Sequence, residues 1–375
     1  MLNSSNTSSD KNADVQNAHH ALSLLDDPVG GHQKENDQTT SLPPVAEVRD
    51  LSFQFNGTGA EFFKIWIVNV FLSIITLGIY SAWAKVRTQR YFYANTTLDG
   101  SSFEYLADPI KILKGRCIAF GLLLLYTLLG RSSPVLFMVC ALVLLAFTPW
   151  AVRQSLAFRA RYSAWRGVRF HFNGTVKGAV NTYIFWWAAA SFFGFLLPAF
   201  LRKQMQYVVN NMRFGDVDFK NDVETFPYYK PFLKMLALVL PVFIVGAVLA
   251  GSLGRETAAI FFPVLVALIF FLASVYIRMS LTNLRFDNAT LGEHTFHCRY
   301  ELKSYFWLVL TNTLGVLFTL GLFYPFAKVR QAQYAAEHMS VTAVGHLDEF
   351  IDRQQEDLSA TGGEVGDLFD IDVGF

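Results

Sequence analysis

The sequence predicts an all-α polytopic membrane protein, a helical bundle with internal repeats and small cytoplasmic β-hairpins. Three observations favour this class. The chain is 53% hydrophobic and only 16% charged, whereas soluble domains carry about 25% charged residues. Several apolar runs approach the roughly 20 residues that a helix needs to cross the hydrocarbon. A twelve-residue sequence also occurs in two related forms, at Thr76–Arg87 and Thr319–Arg330.

Two polar tails flank the apolar part of the chain. Residues 1–50 are rich in Ser, Asn, Asp and Gln and have no apolar h-region, so we predict a disordered tail and not a signal peptide. Residues 347–375 are predicted to be an acidic disordered tail, because nine Asp or Glu stand against one Arg from Asp348 onward. The membrane domain is therefore expected at residues 51–346.

Two pairs of apolar runs predict helical hairpins, at residues 110–152 and 231–277, with a tight turn inside each pair. Three further runs stand alone and contain glycine, proline or polar residues. These single runs are Phe62–Ala84, Ala179–Leu201 and Tyr305–Ala327. Each single run can cross the bilayer once, or it can enter and return on one side where protein covers its broken backbone.

The single runs belong to three related units, predicted at residues 53–105, 170–220 and 296–346. The first and third units align without gaps over 39 positions, of which eleven are identical. Within them, TLGIYSAWAKVR is matched by TLGLFYPFAKVR at seven of twelve positions. The middle unit keeps the lead-in FHFNGT but lacks Thr-Leu-Gly, so its equivalence is weaker. Repeated units of this length predict a fold that is built from copies of one structural unit.

Short stretches in which apolar and polar residues alternate predict β-hairpins. Asp-Gly, Asn-Gly or Gly-Asp marks the turn in three of them, as tight hairpins require. The stretches are Thr96–Tyr105, Val168–Thr175, Met212–Phe219 and Leu284–Cys298. If the single runs re-enter, all of these strands lie on the cytoplasmic side and can pair into one small sheet.

The distribution of Lys and Arg predicts the orientation. Each hairpin turn holds one cation, Arg131 or Arg255, whereas each of the four other loops holds four to six. Because cytoplasmic loops collect Lys and Arg, we expect both turns outside and all four loops inside. A middle run that crosses once would place its two basic flanks on opposite sides, whereas a re-entrant run removes this conflict.

The repeated sequence supplies the candidate functional residues. Aromatic and basic side chains suit the headgroup level of a bilayer, and the candidate interfacial anchors are Tyr80, Trp83, Lys85, Arg87, Tyr324, Lys328 and Arg330. Polar and small residues of the same runs are candidates for a polar pathway or for helix packing; they are Asn69, Thr76, Gly78, Asn312, Thr319 and Gly321. The expected partner is the lipid bilayer with its anionic headgroups. A net charge of +1 gives no indication of nucleic-acid binding.

The sequence contains no recognisable catalytic or cofactor motif. His294-x-x-His297-Cys298 has no further clustered ligand, so we expect no metal site, no cofactor and no enzyme activity. Two functions are left open. One is a transporter or channel-like protein for a small solute, which a continuous polar cavity between Asn69 and Asn312 would favour. The other is a non-transporting envelope scaffold or lipid-interacting protein, favoured by a packed bundle with paired polar residues.

The stretch Phe63–Arg116, which begins FKIWIVNVFLSIITLGIYSAWAKVR, resembles the bacterial YjgN family of inner-membrane proteins of unknown function. The segment Asn312–Tyr334 is similar to the closing segment of that family. The resemblance covers residues 51–346 and implies a multi-pass protein of the bacterial cytoplasmic (inner) membrane. It implies no substrate, cofactor or active site.

Overall fold

A computed structural model describes residues 48–252, 255–345 and 350–352. Most of both predicted tails lies outside these described residues. The strands are β1 (Val48–Phe55), β2 (Thr96–Leu98), β3 (Ser101–Tyr105), β4 (Ser163–Trp165), β5 (Val168–Phe172), β6 (Met212–Phe214), β7 (Val217–Asn221), β8 (Ala289–Leu291), β9 (His294–Cys298) and β10 (Met339–Val344). The α-helices are α1 (Gly59–Ile75), α2 (Ser81–Asn95), α3 (Pro109–Ser132), α4 (Pro134–Arg161), α5 (Val176–Val180), α6 (Trp187–Phe192), α7 (Leu197–Val209), α8 (Thr225–Ser252), α9 (Arg255–Phe286), α10 (Leu302–Phe318) and α11 (Tyr324–Glu337).

The ten strands of the described residues form one closed antiparallel barrel, in the order β1-β10-β9-β8-β7-β6-β5-β4-β3-β2. Strand β1 closes the ring by pairing with both β10 and β2. The prediction of an all-α class with separate small hairpins is therefore wrong. The predicted hairpin stretches do contribute strands, but each of these strands pairs with a neighbour on both sides. Closure leaves no edge of unpaired backbone groups, so strands of three to five residues can form a stable sheet.

The same order of elements recurs in five consecutive segments of the chain: a strand, a helical hairpin and a returning strand. Segments 1 to 5 comprise residues 48–98, 101–165, 168–214, 217–291 and 294–344. Neighbouring strands are antiparallel all round the ring, so all five helical hairpins leave from one end of the barrel. We call this the helical end and the opposite one the turn end.

Equivalent strand positions place the same residue type inside the barrel, because every second side chain of a strand faces the same side. The inward-facing phenylalanines are Phe53, Phe103, Phe170, Phe219 and Phe296. Each lies opposite a large apolar residue of a neighbouring strand, in order Leu98, Trp165, Phe214, Leu291 and Val341. A hydrophobic core of the described residues therefore fills much of the barrel.

The second helix of each segment holds the next segment in place. One of its polar side chains donates a hydrogen bond to a backbone carbonyl at or just beyond the first strand of the next segment, and the fifth segment closes onto the first. The donors are Arg90, Arg153, Arg202, Asn283 and Gln333; their acceptors are, in order, Tyr105 and Ala107, Gly174, Val223, Tyr300 and Gly57. Helix α11 also packs against α1, so the helices form a ring above the barrel.

Within the described residues, four helices are long and apolar enough to cross a membrane, and they form the hairpins of segments 2 and 4. Helix α4, with 28 residues, extends about 42 Å against about 30 Å of hydrocarbon. Helix α1, with 17 residues, extends only about 26 Å from the same barrel. Among the described residues, the hairpins of segments 1, 3 and 5 contain no helix longer than 17 residues.

Each single apolar run of the sequence corresponds to a bent pair of helices and not to one straight helix. In the middle run, a π-helix (Asn181–Trp186) and a 3₁₀-helix (Gly194–Leu196) interrupt the helical path between α5 and α7. Its two flanks continue into strands β5 and β6, which pair with each other. Both flanks of the run therefore meet at the barrel, as the second of the two alternatives that the charge distribution left open requires.

Candidate functional site

Thr-Leu-Gly forms the turn of a helical hairpin in the first copy of the repeated sequence. The Thr76 hydroxyl donates to the Leu72 carbonyl (2.7 Å) and accepts from the Tyr80 N–H (2.9 Å), so it caps both helices. Gly78 has a φ of +91°, in the region that glycine adopts without strain. Leu77 at the tip is 94% exposed, which suits contact with lipid.

The last copy builds the same turn from equivalent residues. The Thr319 hydroxyl donates to the Gly315 carbonyl (2.7 Å) and accepts from the Phe323 N–H (2.8 Å). Gly321 has a φ of +94°, and Leu320 is again 94% exposed. The structure thus places these threonines and glycines at hairpin tips, where their polar groups bond the backbone.

The two candidate asparagines are both buried but have different surroundings. The Oδ1 of Asn312 accepts from Arg330 (2.7 Å) and its Nδ2 donates to the Ala327 carbonyl (3.4 Å), so Asn312 joins α10 to α11. No hydrogen-bond partner is described for either amide atom of Asn69, which lines a cavity of about 830 Å³ between α1, α2 and α11. Asn312 does not line this cavity, so the two asparagines do not share it.

Three candidate anchors point into the same cavity. Lys85 of α2 and Lys328 of α11, which are equivalent in the repeated sequence, both line it, as does Tyr324. The Lys328 ammonium lies 5.8 Å from the centre of the Tyr324 ring, a cation–π distance. These cations therefore face the interior of the helix ring.

The other anchors lie elsewhere on the two short hairpins. Tyr80 and Trp83 stack with 6.2 Å between ring centres. Arg87 is exposed, and Arg330 donates to Thr311 (3.1 Å) as well as to Asn312. Of these four residues, Arg330 bonds helix α11 to helix α10.

The cavity beside Asn69 is one of a series of five, in which each cavity shares lining residues with the next. Four lie among the helices or, for the third, between the helices and the helical end of the barrel, with volumes of about 830, 260, 490 and 450 Å³, and we call them together the lumen. The fifth, of about 370 Å³, lies inside the barrel and is called the barrel cavity. Shared lining residues link the five in turn, namely Lys85, Arg159, Phe53 and Arg285.

The lumen is strongly basic. Among the described residues that line these five cavities there are five Lys or Arg and no Asp or Glu. The cations are Lys85, Arg159, Arg278, Arg285 and Lys328. Their charges repel one another, since Arg159 acts on both Lys85 and Arg285. Like charges held together away from carboxylates favour the binding of an anion.

Three of these cations, Arg159, Arg278 and Arg285, were not predicted as site residues. A spacing common to the second helices could have found one of them. Lys85, Arg278 and Lys328 each lie ten residues before a side chain that hydrogen-bonds the carbonyl of the last helical turn, namely Asn95, Asn288 and His338. That spacing places all three about 15 Å from the barrel. Arg159 and Arg285 lie closer to the barrel, at the ends of α4 and α9.

The turn end of the barrel is covered by the short helical stretch at residues 350–352. The Phe350 ring packs on Phe214 (6.2 Å between centres) and on His294 (4.8 Å), and Ile351 is buried. His294 and His297 occupy opposite faces of β9, because only His294 lines the barrel cavity. Burial lowers the pKa of His294, whose Nδ1 accepts from the Val344 N–H (3.2 Å).

Comparison with known proteins places the chain in a family. Residues 50–368 match the family model described as "Bacterial protein of unknown function (DUF898)". The inner membrane protein YjgN of Escherichia coli K12 is 36% identical over 154 residues, 40% of this chain and 36% of that protein. The alignment thus spans little more than a third of that relative's length.

The inner membrane protein YjgN of Salmonella typhimurium is 24% identical over 365 residues, covering 78% of this chain and 88% of that protein. No solved structure matches the chain. The names of these relatives and the four long apolar helices together identify a multi-pass inner-membrane protein. The chain therefore belongs to the DUF898 family of bacterial proteins of unknown function and is similar to the inner membrane proteins named YjgN.

Proposed function

We propose that this protein binds the anionic headgroup of an inner-leaflet lipid in its basic lumen. It would act as a lipid-interacting membrane protein and not as an enzyme. The observation that carries the proposal is the lining of the lumen, which presents five cations and no carboxylate among the described residues. Anionic lipid attracts each Lys or Arg near a membrane surface by about 1 kcal/mol.

The depth of the cations supports a headgroup as the anion. Helix α4 is about 12 Å longer than the hydrocarbon is thick, so about that length separates the barrel from the bilayer core. Lys85, Arg278 and Lys328 lie about 15 Å from the barrel. This upper group of cations therefore falls near the boundary between hydrocarbon and headgroups.

Transport of a small solute has less support. A path across the bilayer needs walls through its full thickness, and three of the five helical hairpins are too short to supply them. At the turn end, Phe350 and Ile351 cover the barrel. The lumen is thus best suited to hold an anion from the near leaflet.

Two further inferences complete the proposal. The barrel would lie in the cytoplasm, because the basic loops are all attached to it and cytoplasmic loops collect Lys and Arg. The five segments would be copies of one ancestral unit, since they share the order of elements and the inward-facing phenylalanine. One such unit cannot bury its apolar strands alone, whereas five units that pair into a closed barrel can.

The proposal is tested by titrating detergent-solubilised protein with phosphatidylglycerol or phosphatidylcholine and counting bound lipids by native mass spectrometry. Replacing two cations of the lumen, Lys85→Gln with Lys328→Gln, should weaken phosphatidylglycerol binding about 30-fold, because each contributes about 1 kcal/mol. Phosphatidylcholine binding should not change.

The control is Arg169→Gln with Lys220→Gln, which removes equal charge from exposed strand positions outside the lumen. We expect this variant to bind phosphatidylglycerol like the unaltered chain. Equal losses in the two double variants would refute a lumen site and indicate diffuse attraction to the protein surface.

A further inference from the structure

The barrel cavity is lined almost entirely by apolar side chains. The phenylalanines Phe53, Phe103, Phe170, Phe219 and Phe296 all face it. A barrel of eight strands is just filled by its side chains or holds one small ligand. With ten strands this barrel is wider, and its aromatic core leaves a void of about 370 Å³.

A void of this volume with an apolar lining is expected to hold an apolar ligand. Protein interiors are close-packed and rarely contain cavities much larger than a water molecule. Water needs several polar partners to stay in a cavity, and large apolar cavities stay dry and take up apolar molecules. A volume of about 370 Å³ lies within the range of ligand pockets.

The polar groups of the cavity lie at its two ends. Arg285 lines it at the helical end, beside the part of the lumen that Arg159 lines. His294 lies at the turn end, under the ring of Phe350. The cavity is thus an apolar tube with cations at one end and an aromatic cover at the other.

We propose that the barrel cavity binds a single-chain anionic amphiphile. Its hydrocarbon chain occupies the barrel, and its carboxylate or phosphate is held by Arg285 and Arg159 at the helical end. The ligand is taken from the inner leaflet, and in that respect the inference rests on the proposed function. Both sites draw on the cations of the lumen, but Arg285 lines the barrel cavity, whereas Lys85 and Lys328, which the headgroup test replaces, line only cavities among the helices.

The test uses two probes that carry a photoreactive diazirine near the end of the chain: palmitate and palmitoyl lysophosphatidic acid. Each is added to the full-length protein in phosphatidylcholine nanodiscs, illuminated, and mapped by peptide mass spectrometry. We expect cross-links on barrel peptides that contain Phe103, Phe219 or Leu291. Labelling by palmitate alone would assign the carboxylate, and labelling by the lysolipid alone would assign the phosphate.

Two matched pairs of variants locate the ligand. Leu291→Trp fills the cavity and should abolish labelling of the barrel, whereas Thr290→Trp, on the opposite face of β8, should not. Arg285→Gln should reduce labelling about tenfold through the loss of a charge-assisted bond, whereas the exposed Arg169→Gln should leave it unchanged. Thermal unfolding checks that every variant is folded. If Leu291→Trp is not, Val341→Phe, which also fills the cavity, takes its place.

Labelling confined to helical peptides, or barrel labelling that survives both Leu291→Trp and Val341→Phe, would overturn the inference. So would a complete lack of labelling. Such results would leave the headgroup site intact as long as Lys85→Gln with Lys328→Gln still weakened phosphatidylglycerol binding. If the barrel is labelled but Lys85→Gln with Lys328→Gln does not weaken phosphatidylglycerol binding, the barrel site would stand and the headgroup site would be refuted.

Discussion

At the scale of single residues, equivalent positions have diverged in their contacts. Asn69 and Asn312 occupy the same place in the repeated sequence. Arg330 bonds Asn312, but its counterpart Arg87 is exposed and no bond to Asn69 is described. The sequence predicted both asparagines as candidates from their polarity in apolar runs. It could not show which one pairs, because that depends on the rotamer of an arginine one helix away.

His171 of β5 shows how charge is distributed outside the barrel. Its Nδ1 is buried without a described hydrogen-bond partner. Burial lowers the pKa of His171, and the nearby Arg161, Arg213 and Arg169 lower it further, while Asp216 partly opposes them. A proton on this ring would add one more cation to a basic cluster.

The stability of the protein should therefore fall in acid through His171. Because its pKa is lower in the folded chain, the unfolded chain binds the proton first as the pH falls. The stability that neutral His171 contributes is complete above the pKa of histidine in the unfolded chain, about 6.5. It is lost as the pH drops towards the lower pKa of the folded chain. We expect His171→Gln to reduce the loss of stability between about pH 7.5 and about pH 5. Thermal unfolding in detergent across that range measures it, and an unchanged slope would contradict the account.

At the scale of elements, the repeated Thr-Leu-Gly forms the turn between the two helices of a hairpin. The threonine caps both helices and the glycine takes a positive φ. Lys85 and Lys328 follow this turn at the same spacing, so both lie at the same height on the second helix. The middle segment lacks the motif and bends through the π-helix and 3₁₀-helix instead, so its sequence matched the other two only weakly.

Replacing the turn glycines should cost stability through the backbone alone. A Cβ on Gly78 or Gly321 would meet no atom within 4 Å, but the left-handed conformation costs a non-glycine residue about 1–2 kcal/mol. We expect Gly78→Ala and Gly321→Ala each to lower the free energy of unfolding by about that amount.

The control is Gly121→Ala, in helix α3. A Cβ there also meets nothing within 4 Å, but the backbone is helical, and alanine favours a helix over glycine by about 1 kcal/mol. This variant should be as stable as the unaltered chain or more stable. Equal stability of all three variants in denaturant titrations would show that the turns do not depend on positive φ.

The strands show how far local sequence reasoning reaches. Turn residues such as Asp99-Gly100 predicted the position of β2 and β3, because a tight hairpin requires positive φ at both positions. Strands β1 and β10 have no such turn between them and pair across almost the whole chain. Strands as short as three residues give too little periodicity to predict that pairing.

At the scale of the whole molecule, the barrel determines where the chain returns between helical hairpins. Ten alternating strands return the chain to one place after every helical hairpin, so all the basic loops lie together. The distribution of Lys and Arg in the sequence already pointed to this arrangement. The length of the single runs favoured one straight crossing instead, because length alone does not reveal a turn in the middle of a run.

The central claim is that the middle run enters and returns on one side, so that both its flanks belong to one barrel. Its most direct test is cysteine labelling in spheroplasts, with Cys117, Cys140 and Cys298 replaced by alanine. A membrane-impermeant maleimide would be applied to Lys177→Cys and Lys220→Cys, which flank the run, and to Arg131→Cys at a hairpin tip. We predict that intact spheroplasts label only Arg131→Cys and that lysis exposes both others. Labelling of Lys177→Cys and Lys220→Cys from opposite sides would contradict the account.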